Sequence, residues 1–219
     1  MVDIKRELNG PQITILQLSV LIVALCGIVY ELLIATISSY LLGDSVRQFS
    51  LTIGLFMAAM GLGSYLTKFL DRSLISFFIG VEIVIALVGG LSGILLFGVY
   101  PYTIFYAPTM YGLIIIIGAL VGMEIPILTR IISDYRGLKH SIADVLSLDY
   151  TGALIGSVSF PLLLLPFLGL FRASFLIGLA NGIIALINLP ASINLLPHIT
   201  FTRRSRRIMW PPGPTWALT

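Results

Sequence analysis

Six long apolar stretches dominate the chain, near residues 13–42, 50–70, 73–97, 104–132, 142–165 and 169–189. A helix needs roughly 20 predominantly apolar residues to cross a bilayer, and every stretch reaches that length. In hydrocarbon each backbone N–H and C=O must be satisfied within its own segment or a closed barrel, so runs of this kind fold into helices. The expected fold is an all-α integral membrane protein with six transmembrane helices. Of 219 residues, 58% are hydrophobic and 11% charged, whereas charged residues alone make up roughly a quarter of a soluble domain. Mean hydropathy is +1.04, which excludes an ordinary soluble enzyme. The N-terminal "MVDIKRELNG" precedes an apolar run about twice as long as a signal-peptide h-region and without a small-residue cleavage site. It is therefore expected to stay as the first helix. Cys26, the single cysteine, leaves no intrachain disulfide. No metal cluster and no cofactor are expected.

Loop charge predicts orientation. Lys5, Arg6, Lys68, Arg72, Arg130, Arg136, Lys139, Arg203, Arg204, Arg206 and Arg207 fall on one side of six alternating spans, and only Arg47 and Arg172 on the other. Both termini are then cytoplasmic, in a bacterial inner membrane. The net charge of +3 follows from this topology and points to no nucleic-acid partner. Three regions result: a cytoplasmic N-terminus at 1–12, a membrane domain at 13–190, and a basic tail at 191–219 that carries Pro and Trp residues. The four arginines Arg203, Arg204, Arg206 and Arg207 are candidates for holding anionic lipid head groups of the surrounding bilayer.

A shift of 93 positions, the separation of Glu31 and Glu124, lays the first three spans (about 13–97) over the last three (about 104–190). "ELLIAT" from Glu31 then covers "EIPILT" from Glu124, Gly63–Ser64 covers Gly156–Ser157, and Gly89 covers Gly182. Three helices is an odd number, so the second copy runs inverted to the first. Such 3+3 inverted repeats recur in secondary transporters, with binding sites at the repeat interface. Gly118 with Gly122 and Gly152 with Gly156 are small-xxx-small pairs suited to close helix packing, a role also expected of Gly63. Pro126 and Pro161 are expected to bend or open their helices, since each lacks a backbone donor.

The segments "GIVYELLIATISSYLLGDSVRQFSLTIGLFMAAMGLGSYL" (27–66), "GALVGMEIPILTRI" (118–131) and "LDYTGALIGSVSFPLLLLPFLGL" (148–170) resemble the membrane domain of the membrane-bound spermidine synthase-like family, the polyamine aminopropyltransferases. The resemblance covers residues 13–190. It implies a link to polyamines and a cytoplasmic aminopropyltransferase domain of Rossmann-like fold, which these 219 residues do not contain. The one Gly-x-Gly, Gly61 and Gly63, lies inside the second span with no strand before it, so it is no nucleotide loop. Aminopropyl transfer by these residues themselves is not expected.

The acids in the apolar stretches carry what chemistry the chain offers. A charged group at membrane depth is costly and marks a functional site by default. Glu31 and Glu124 form the symmetric pair, while Asp149 has Phe56 as its repeat counterpart and belongs to one half only. These three are expected to converge on one cavity, with Tyr30 and Tyr150 flanking Glu31 and Asp149 and presenting hydroxyls or ring faces to an ammonium group. Glu82 and Asp144 are expected near the cytoplasmic edge, reaching water by snorkelling. His140 and His198 stand in no HExxH pattern, and no GxSxG occurs. Two readings follow. One is a carrier-like domain binding a polyamine or a proton at the buried acids; the other is a non-catalytic anchor for a cytoplasmic aminopropyltransferase or a larger membrane complex.

Overall fold

The computed structural model describes residues 10–70, 74–136 and 138–195; the tail with Arg203, Arg204, Arg206 and Arg207 lies outside the described residues. The described residues form helices and short turns with no strand among them: α1 (Gly10–Leu42), α2 (Ser45–Leu66) ending in a 3-10 turn (Thr67–Phe69), α3 (Leu74–Val99), α4 (Thr103–Arg136), α5 (Leu138–Ser159), a π-helical turn (Phe160–Leu164) and α6 (Leu165–Leu195). Five helical runs are long and apolar enough to cross a membrane. They are Ile13–Leu42, Ser45–Phe69, Leu74–Val99, Thr103–Ser133 and the joined run Leu138–Pro190.

Local chemistry sets the joints. α1 stops at Gly43, whose φ of 73° is a left-handed conformation that glycine adopts without a Cβ clash. Asp44 follows, and its Oδ1 accepts a hydrogen bond from the Arg47 N–H at 3.1 Å, capping α2. In the long run Leu138–Pro190, Pro161 sits in the π-helical turn, where the missing donor is tolerated by a locally wider helix. Gly169, at φ 68° and ψ 178°, then breaks the helical path. Pro126 behaves otherwise: α4 continues through both Pro108 and Pro126, so neither proline ends the helix. Neighbouring helices let a membrane helix tolerate the lost donor without ending.

The helices pack chiefly as α3 on α6, α2 on α4 and α1 on α5, with further contacts of α4 on α3, α1 and α5, and of α1 on α6 and α2. Small residues make these crossings close. A Cβ on Gly63 would meet the Ala119 carbonyl of α4, one on Gly122 the Met60 backbone of α2, and one on Gly152 the Leu21 carbonyl of α1. Gly156 approaches Leu25 and Ile28 of α1, and Gly118 approaches Ala59 and Phe56 of α2. Polar ties cross the same interfaces. Ser174 Oγ donates toward the carbonyls of Gly89 at 2.9 Å and Gly90 at 2.7 Å, Asn188 Nδ2 donates to Ser19 Oγ at 2.9 Å, and Tyr106 donates to Ser38 Oγ at 3.2 Å. The Arg130 guanidinium donates to the Thr67 carbonyl at 3.1 Å, closing the end of α2 onto α4.

Candidate functional site

Four helices turn one stripe each toward a common point. On α1 the stripe is Ala24, Gly27, Ile28 and Glu31; on α4 it is Val121, Glu124 and Ile125. α2 supplies Phe56 and Met60, and α5 supplies Asp149 and Ala153. Every residue in a set has another member three or four positions away, so each set lies on one helix face. Together they enclose a cavity of about 80 Å³, enough for a few waters. Three of its lining residues are carboxylic acids.

Glu31 is 7% exposed and Glu124 2% exposed, and Asp149 is half-buried. No cationic side chain among the described residues compensates any of them. Asp149 reaches the cavity because Val145, Asp149, Gly152 and Gly156 share one face of α5, and the two glycines press that face onto α1. Among the described residues no group of three or more His, Cys, Asp or Glu is arranged to hold a metal ion.

The flanking tyrosines lie elsewhere. Successive residues on a helix diverge by about 100°, so a neighbour in sequence need not share the cavity: Ile125 lines it beside Glu124, whereas neither tyrosine does. Tyr150 is 69% exposed on the outer surface, which corrects its assignment beside a bound ligand. Tyr30 is fully buried but turns toward α3, where a Cβ on Gly89 would come within 2.5 Å of its ring. Its hydroxyl has no hydrogen-bond partner among the described residues.

The other correction concerns Glu82. It is 0% exposed, not at an aqueous edge, and its carboxyl lies within hydrogen-bonding reach of Glu124. Its repeat counterpart is Phe175, so the internal symmetry gives no hint of it. Depth along the helix does: eight residues from Leu74, Glu82 stands about 12 Å along α3, too far in for a short carboxyl to reach the membrane surface. Cys26 and Tyr30, one turn apart on α1, lie near both carboxyls. Asp144, by contrast, lies in the N-terminal part of α5, accepts a hydrogen bond from Gln17 at 3.4 Å, and lines a separate cleft of about 310 Å³ with Thr14 and Ser147.

No model of a known protein family matches the chain, and no solved structure matches it. Curated proteins do. A polyamine aminopropyltransferase of Leptospira interrogans is 47% identical over 173 residues, 79% of this chain and 35% of that protein. One from Oceanobacillus iheyensis is 42% identical over 172 residues, 76% of this chain and 33% of that protein. Polyamine aminopropyltransferase 2 of Ralstonia nicotianae is 44% identical over 179 residues, covering 78% of this chain and 34% of its own length. The chain spans about a third of the length of these relatives, and so matches a partial segment of the polyamine aminopropyltransferase family.

Proposed function

We propose that this chain is a carrier-like membrane domain that binds a small cation, a proton or one ammonium end of a polyamine, at Glu31, Glu124 and Asp149. The observation that carries the reading is one cavity lined by these three carboxyls, with no cationic side chain among the described residues to neutralise them. Uncompensated acids at membrane depth are expensive and are retained where a cation or a wet pathway offsets them. Size narrows the ligand: about 80 Å³ is well below the roughly 300 Å³ at which small-molecule pockets begin. A cationic head group fits, and a whole polyamine extends beyond it.

The reading includes six spans in two inverted halves with both ends cytoplasmic. The run Leu138–Pro190 has 53 residues and would stretch about 80 Å as one helix, more than twice the hydrocarbon thickness. The break at Gly169 supports two crossings. Packing supports the repeat. Exchanging α1, α2, α3 with α4, α5, α6 converts the α2–α4 contact into α5–α1, α3–α4 into α6–α1 and α1–α2 into α4–α5, while α1–α4 and α3–α6 map onto themselves. Gly63 against Ala119 is matched by Gly156 against Leu25, one residue from the equivalent position on α1.

Detergent-purified protein is expected to gain thermal stability in millimolar putrescine or spermidine at constant ionic strength. Occupancy at a hundred times Kd contributes about 2.7 kcal/mol. Replacing Glu31 and Glu124 together by Gln is expected to remove the gain while the protein stays folded. An unchanged midpoint in polyamine would defeat the ammonium form of the reading.

A second reading is favoured by the relatives themselves, which are named for aminopropyl transfer and contain this segment as a third of their length. In it the helices anchor or assemble with an aminopropyltransferase. Affinity purification from native membranes separates the two, since an anchor is recovered with an aminopropyltransferase and a carrier is recovered without one.

A further inference from the structure

Glu82 and Glu124 meet behind the cavity, where α3 packs on α4. Among the described residues, no donor gives a hydrogen bond to either Glu82 oxygen or to Glu124 Oε1. Both residues are almost completely buried, and no lysine, arginine or histidine among the described residues compensates them. The titratable groups facing the pair are Cys26 and Tyr30 from α1 and Asp149 from α5, with Glu31 across the cavity. None of these is a cation. Two carboxylates in contact are two acceptors with nothing between them. A hydrogen bond between them exists only when one carries a proton, as in other acid pairs that share a dry site.

We propose that Glu82 and Glu124 form a proton-binding site of this membrane domain, holding one exchangeable proton between their carboxyls. Glu124 belongs both to this pair and to the cavity wall, whereas Glu82 belongs to the pair alone. That shared residue gives the pair a use. Resting on the cation-binding reading above, a cation entering the cavity beside Glu124 draws that carboxyl into the ionised form. The shared proton then leaves through the cavity waters to solvent. One positive charge enters as one leaves, so the buried net charge is unchanged and the exchange avoids isolating a charge in a low-dielectric site. Glu82 holds the proton in the empty state and marks the dry end of the path. Glu31 and Asp149 form the wet end.

Two measurements separate the proton site from the ligand. Infrared spectroscopy of the purified protein at neutral pH, without added polyamine, is expected to show a protonated-carboxyl stretch that shifts in D₂O. The band is lost in Glu82→Gln, whose amide bonds to an ionised Glu124, and is also lost in Glu124→Gln. A band present in the native protein and unaltered in both variants overturns the proposal, as does its absence from the native protein. Glu31→Gln, which leaves the pair intact, is expected to retain the band. The second measurement is calorimetric titration with putrescine in buffers of different ionisation heat. It is expected to give about one proton released per ligand in the native protein and none in a folded Glu82→Gln that still binds. Loss of the band in Glu82→Gln without any putrescine binding upholds the proton site and removes only the ligand. Binding with equal proton release in the native protein and Glu82→Gln overturns the coupling.

Discussion

At the scale of single residues, packing contacts in this molecule separate positions that look alike. Gly61 and Gly63 lie two residues apart on α2, yet a Cβ on Gly61 meets nothing within 4 Å and one on Gly63 meets the Ala119 backbone. Gly63→Ala is expected to cost about 1–3 kcal/mol by forcing α2 from α4. Gly61→Ala should be neutral or slightly stabilising, since alanine is the better helix former by about 1 kcal/mol. Reversible unfolding in mixed detergent measures both. A comparable loss in the two variants would show that the close α2–α4 crossing is absent. Tyr106→Phe removes the buried bond to Ser38 and is expected to cost about 0.6 kcal/mol, the usual worth of such bonds within membranes. Glu82 belongs at this scale too. Its sequence position resembles any acid in an apolar helix, and its partner became visible only when α3 was seen against α4.

The elements follow the apolar stretches closely: stretch 104–132 lies inside α4, and stretch 73–97 overlaps nearly all of α3. Their irregularities are less regular in origin. Proline leaves α4 unbroken at Pro126 but accompanies a π-helical turn at Pro161, because the same missing donor is absorbed differently by different surroundings. Gly169 is the sharper device. At φ 68° and ψ 178° it holds a conformation essentially confined to glycine, so Gly169→Ala is expected to destabilise by about 1–3 kcal/mol. Nothing lies within 4 Å of a Cβ there, so the loss would come from backbone strain and not from a clash. Thermal unfolding followed by circular dichroism tests it, with Gly112→Ala, an open helical position, as the control that should not lose stability.

For the whole molecule the testable quantity is topology. Cys26 is fully buried, which gives a quiet background for labelling with a membrane-impermeant maleimide. Arg47→Cys and Lys139→Cys place exposed thiols at the α1–α2 and α4–α5 connections. In intact spheroplasts the first is expected to label and the second to label only after permeabilisation, as the distribution of basic residues requires. Labelling of both from the same side would refute the six-span orientation. The bundle also explains why the cavity can be small and still draw on four helices. Gly63, Gly122, Gly152 and Gly156 bring α1, α2, α4 and α5 close together, leaving room for a few waters between carboxyls and little else.

The sequence alone determined the helices and their approximate ends, because a segment in hydrocarbon must satisfy its own backbone and that requirement is local. It also singled out Glu31, Glu124 and Asp149, since acids in apolar runs stand out by cost, and it marked the glycines at which helices approach. Which side chains meet across helices was decided by tertiary structure alone. Tyr150, next to Asp149 in sequence, faces outward, and Tyr30, next to Glu31, turns to α3. Glu82, unmarked by the repeat, reaches Glu124 from another helix. Direction around a helix follows from its period, but the neighbour found in that direction depends on crossings set by distant glycines, and no local pattern encodes those.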